Sequence, residues 1–90
     1  MRYDDAVYTD HAREKMARRE LTTDQVMGVL QAPDAEFPVR PGRRVLQRRI
    51  RWRNPPQDYL LRVFVDVDRI PPEIVTVYLA SKIAKYEANP

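Results

Sequence analysis

Ninety residues with no cysteine, two glycines and eight prolines leave room for one domain over residues 1–90, and exclude disulfide scaffolds and thiolate zinc sites. The single histidine excludes multi-histidine metal sites and paired-histidine acid–base chemistry. The net charge of +3 is unevenly placed: residues 1–36 carry −3, residues 37–57 carry +7 without an acidic group, and residues 58–90 carry −1.

The first predicted element is a helix over 9–19, capped by Thr9 or Asp10. Thr22 followed by Gln25 forms a capping box for a second helix that runs to about Leu30, with Val26, Met27, Val29 and Leu30 as its apolar face. Ala32-Pro33-Asp34 ends it. A short edge strand, Glu36 to Val39, leads into the turn Arg40-Pro41-Gly42. A long strand follows from Arg44 to Arg53, then a turn at Asn54–Asp58. Tyr59 to Val67 is the strongest strand, rich in Val, Leu and Phe. Asp68 to Pro72 turns the chain into a strand from Glu73 to Leu79, and Ser81 to Glu87 forms a short tail or helix. This order predicts an α+β fold: an N-terminal helical hairpin packed on one face of a 3–4-stranded antiparallel sheet.

Strand alternation divides the residues between two faces. Tyr59, Leu61, Val63, Val65 and Val67 are expected in the core, with Val75, Val77 and Leu79, and with Leu46, Ile50 and Trp52. Arg48 shares that parity. Leu60, Arg62, Phe64, Asp66, Ile74, Thr76 and Tyr78 face away, as do Val45, Gln47, Arg49, Arg51 and Arg53. Simple hairpins would set Arg49, Arg62 and Tyr78 in one row of this second face, and Gln47, Phe64 and Thr76 in the next. Two arginines beside a tyrosine suit a phosphate and a stacked base.

All seven charges of the middle block are arginines: Arg40, Arg43, Arg44, Arg48, Arg49, Arg51 and Arg53. The guanidinium fork grips phosphate with two hydrogen bonds, so the block reads as a footprint for a polyanion; the plain alternative is a strand edge kept soluble by charge. His11, Lys15 and Arg19 add a basic stripe at i, i+4 and i+8 of the first helix, beside Ala12 and Met16. Asp66, Asp68 and Glu73 surround one turn and read as turn residues or partners of Arg69 rather than a metal site. No glycine-rich phosphate loop is present, and Ser81, the only serine, has no evident base.

The opening Tyr8-Thr9-Asp10-His11-Ala12, with Met16, Arg19 and Leu21-Thr22, resembles the start of domain-of-unknown-function family 4258. The close, Ile74-Val75-Thr76-Val77-Tyr78 with Ser81-Lys82-Ile83-Ala84-Lys85-Tyr86, resembles that family's end, and Arg43 to Arg49 its middle. The resemblance spans nearly the whole chain. It places His11, Arg19, Thr76, Ser81, Lys82 and Tyr86 at family-motif positions. Lys15 stands where the family often has arginine, and Glu20 where it usually has glycine. The family looks related to small ribonuclease toxins of the RelE and BrnT type, which implies a similar fold and ribonuclease activity, with an antitoxin covering the arginine face.

Three functions follow from these residues. As a metal-independent endoribonuclease, the chain would use His11, Arg49, Lys82 and Tyr86 in catalysis. Lys15, Arg19, Arg43, Arg44, Arg48, Arg51, Arg53, Arg62 and Tyr78 would hold RNA. His11 is the default acid or base, since histidine is the side-chain type suited to that work near neutral pH. The same surface could bind RNA without cleaving it. A non-catalytic module could instead take an acidic protein partner through the arginine-rich strand. No cofactor or metal is implied. No apolar run approaches the ~20 residues that span a bilayer, helix one mixes acids into its basic face, and MRYDDAVYTD is too acidic for a signal peptide. A cytoplasmic setting without membrane association is the expectation; the sequence leaves the oligomeric state open.

Overall fold

The computed structural model describes residues 3–87. Within them the chain folds as α+β, with a five-stranded mixed sheet and three helices. The order is β1 (Val7–Tyr8), α1 (Asp10–Arg19), α2 (Thr23–Gln31), β2 (Ala35–Arg40), β3 (Arg43–Trp52), β4 (Gln57–Asp66), β5 (Glu73–Ala80) and α3 (Ile83–Glu87).

Local chemistry starts both long helices. The Thr9 hydroxyl accepts a hydrogen bond from the Ala12 amide at 3.1 Å and donates one to the Val75 carbonyl at 3.1 Å, so a single side chain caps α1 and ties it to β5. The capping box at Thr22 and Gln25 is present as expected. At the end of α1, Glu20 sits in the left-handed region at φ 59. A glycine takes that conformation without a Cβ clash, which gives a physical reason for the glycine usual at this place in the family it resembles.

The expectation of an antiparallel sheet of three or four strands needs correction. The sheet order is β1-β5-β4-β3-β2, and β1 pairs parallel with β5 through Val7 and Tyr8. The first element among the described residues is thus a strand ahead of the helices, while the short C-terminal helix falls within the expected tail. Two residues preceding a helix cap carry too little alternation to be seen in the sequence.

The register also differs. Trp52 pairs with Gln57, so β3 and β4 are joined over residues 53–56, with Arg53 at φ 77. That turn is tighter than the expected one over 54–58 and moves every β4 partner by two residues along β3. A shift of two preserves the faces, whereas a shift of one would exchange them. Gln47 therefore stands opposite Arg62, where Arg49 was expected, and Val45 stands opposite Phe64. The β4–β5 expectation holds at Arg62–Tyr78 and Phe64–Thr76. Beyond those pairs the register shifts, placing Val65 opposite Ile74. Ile74 therefore lies in the core, 0% exposed, and Val75 is only half-buried.

Leu46, Leu61, Val63, Val65, Ile74 and Val77 pack against Ala12, Met16, Val26, Val29 and Leu30. Both long helices thus cover one face of the sheet. A buried carboxylate closes one end of it: Asp66 accepts from Arg43 Nε at 2.6 Å and Nη2 at 3.1 Å, with Arg69 at 3.5 Å. The hydrogen bond from Arg43 holds Asp66 below the usual carboxylate range. The stability from this pair is therefore present above the unfolded carboxyl pKa and is lost as pH falls through the folded value. Asp66→Asn is expected to cost about 1–3 kcal/mol at neutral pH and to flatten the acid limb. Urea unfolding in neutral and acidic buffers checks both; an unchanged acid limb would show that Asp66 does not set it.

Candidate nucleic-acid interface

The helices leave the second sheet face to the tail. Across it run three rows: Phe37, Val45, Phe64 and Thr76; then Ala35, Gln47, Arg62 and Tyr78; then Arg49, Leu60 and Ala80. Val45, Leu60 and Ala80 are buried on this side, so the face is partly covered. Helix α3 crosses the face. The Tyr86 carbonyl accepts from Gln47 Nε2 at 3.4 Å, the Tyr86 ring lies 4.7 Å from the Arg62 guanidinium, and Glu87 takes both a 2.9 Å and a 2.7 Å bond from Arg49.

Arg62 is the centre of this arrangement. Its Nε donates to Gln47 Oε1 at 3.0 Å, and its guanidinium lies over the Tyr86 and Phe64 rings, 5.5 Å from the latter. No carboxylate pairs with it among the described residues. Burial lowers its pKa, opposed by the nearby Tyr86 and Tyr78 oxygens. A half-buried cation without a counter-charge is energetically costly. It is also poised to take an anion.

Two tyrosines complete the cluster. Their hydroxyls are 3.2 Å apart and their rings meet edge to face at 5.6 Å. The hydrogen bond between the two hydroxyls pulls Tyr86 below the usual tyrosine value, helped by the charges of Lys85 and Arg62, and the same bond raises Tyr78. Tyr78, Ser81, Lys82, Lys85 and Tyr86 line a pocket of about 300 Å³ beside it. Cation, shifted phenol and lysines together can hold a phosphate and move a proton.

The arginine block contributes less than its charge suggests. Arg43 pairs with Asp66, Arg44 with Glu36, Arg49 with Glu87 and Arg51 with Asp58. Arg48 lies on the helix-covered side and donates to the Gly28 carbonyl at 3.3 Å, near the C-terminal end of α2. Arg53 stacks on Trp52 at 4.6 Å and donates to the Arg19 carbonyl at 3.4 Å. β3 lies between β2 and β4 over Arg43 to Gln47, whereas its second half pairs with β4 alone. Asp66, Asp68 and Glu73 all pair with Arg69, as their spacing suggested.

His11 stands apart from the cluster. It is exposed in the first turn of α1, on the helix-covered side and beside the Thr9–Val75 contact. Val75 and Tyr78 are three residues apart on β5, ~10 Å along a strand, and Tyr78 points to the opposite face. Lys15 is half-buried on the same helix. Arg19, at the other end of α1, is exposed and near enough to Tyr78 to influence its charge. The structure thus gathers Arg62, Tyr78, Tyr86 and Lys82, keeps Arg49 beside them under Glu87, and adds Gln47 and Lys85. Gln47 shares the parity of Arg49 and Lys85 precedes Tyr86, the only signals either gave in the sequence.

No helix among the described residues is long and apolar enough to cross a membrane. No curated protein and no solved structure matches the chain significantly. Residues 8–79 match the family model described as "Domain of unknown function (DUF4258)". That span runs from the end of β1 almost to the end of β5 and carries every element that builds the sheet and its helical cover, and the chain belongs to this family.

Proposed function

We propose that the chain is a metal-independent endoribonuclease that takes single-stranded RNA against the α3 side of the sheet. The observation that carries this reading is Arg62: a half-buried guanidinium with no carboxylate among the described residues, set beside a tyrosine of lowered pKa. RNA supplies its own nucleophile. The ribose 2′-oxygen attacks the adjacent phosphorus, and its proton passes to solvent. Arg62 and Lys82 stabilise the charge that builds on the phosphate oxygens. The P–O5′ bond breaks and Tyr86 protonates the departing oxygen, leaving a 2′,3′-cyclic phosphate and a 5′-hydroxyl. Solvent then returns a proton to Tyr86. Tyr78 holds the Tyr86 hydroxyl in place and offers a ring for a base.

A remote relation of the family to RelE- and BrnT-type toxins is part of this proposal, and with it come an acidic antitoxin and a cytoplasmic setting. The alternative, a protein-interaction module built on the arginine-rich strand, is weakened by the carboxylates that already pair with Arg43, Arg44, Arg49 and Arg51. Incubation of a single-stranded RNA with the protein in EDTA is expected to give cyclic-phosphate and 5′-hydroxyl ends. The rate should fall at high pH as Tyr86 ionises, below the ordinary tyrosine value of 10.0. Products with 5′-phosphate ends, or a requirement for divalent metal, would refute this mechanism.

A further inference from the structure

The Arg49–Glu87 pair is built like a ligand contact. Two parallel N–H groups of one guanidinium meet the two oxygens of one carboxylate at 2.9 and 2.7 Å. This is the fork geometry with which arginine also holds phosphate. Both side chains reach solvent, at 57% and 33% exposure, so a dissolved anion can compete for the same donors. The element that carries Glu87 is loosely held: α3 has five residues, none buried. Its described contacts to the sheet are polar or aromatic. Arg49 and Arg62 lie one diagonal apart on the same face, ~7–8 Å, a spacing that suits neighbouring phosphates of one chain.

We propose that Glu87 occupies a second phosphate subsite on Arg49, and that a phosphodiester or polyphosphate chain bound at Arg62 displaces it. The tail then works as a latch: closed by an internal carboxylate, opened by the ligand's own charge. Releasing Glu87 leaves the Tyr86–Arg62 and Tyr86–Tyr78 contacts intact, so the neighbouring cluster survives the exchange. The inference rests on the RNA reading for its natural ligand, while its physical content concerns phosphate chains generally.

Calorimetric titration with tripolyphosphate and anisotropy with a labelled oligouridylate test it on the full chain. Glu87→Gln should bind tripolyphosphate about two- to fivefold more tightly than wild type, the scale of an exposed charge pair. In an Arg49→Gln background the same substitution should change nothing, since the contested group is gone. An unchanged affinity for Glu87→Gln overturns the latch. So does a gain that persists without Arg49, because it would reflect net charge alone. RNA cleavage alongside either of those results removes the latch and leaves the ribonuclease reading. The expected gain on tripolyphosphate, with oligouridylate neither bound nor cut, supports the latch and removes the ribonuclease reading.

Discussion

Arg62→Ala is expected to reduce RNA cleavage by about 10²–10³-fold, the usual loss when one donor to a developing oxyanion is removed. The size follows from what surrounds it. Arg43, Arg44, Arg49 and Arg51 each have a carboxylate to satisfy them, so an incoming phosphate must compete at those positions. At Arg62 it meets a guanidinium held only by Gln47 and two aromatic rings. Arg62→Lys keeps the charge but loses the planar fork and the stack on Tyr86, and should recover only part of the rate. Gln47 is 1% exposed and its side-chain oxygen loses the Arg62 donor in the alanine variant, which lowers stability as well. The rate is therefore compared below the melting temperature of the variant, with circular dichroism confirming the fold. A cleavage rate within about twofold of wild type would place the phosphate site elsewhere.

Leu61→Ala is expected to destabilise the chain by about 2–5 kcal/mol. Leu61 is 0% exposed, on the central strand β4, in the cluster shared with both long helices. A domain of this size has on the order of 5–13 kcal/mol in all, so this one truncation removes a large share of it. The urea midpoint should fall with little change in slope. A loss under about 1 kcal/mol, the scale of a volume-conserving swap, would show that the helices do not pack on β4 as described.

The sequence carried the elements whose signals are local. The capping box at Thr22 and Gln25, the strand of alternating apolar residues through Leu61, Val63 and Val65, and the turn at Pro41-Gly42 are all written in neighbouring residues. β1 is too short to show a period. The β3–β4 register hung on where a proline-containing loop closes, and two residues of difference exchanged Arg49 for Gln47 opposite Arg62. The site was legible in its residue types but not in its charges. The seven arginines of the middle block stand together in sequence, whereas the acids that neutralise four of them, Glu36, Asp58, Asp66 and Glu87, come from outside that block. Only the fold shows that Arg62, a lone arginine in an apolar strand, is a half-buried cation with no carboxylate partner among the described residues. In the same way the tail's place across the sheet brings Tyr86 to Arg62 and leaves His11 on the other side.

The most direct test compares cleavage of one single-stranded RNA, in EDTA, by wild type, Tyr86→Phe and His11→Ala. Wild type and His11→Ala are expected to cut at similar rates. Tyr86→Phe keeps the ring over Arg62 but loses the proton, and should be slower by about 10²-fold or more. Intact RNA with folded wild type, or activity lost in His11→Ala and kept in Tyr86→Phe, would contradict a catalytic site at the Arg62–Tyr86 cluster.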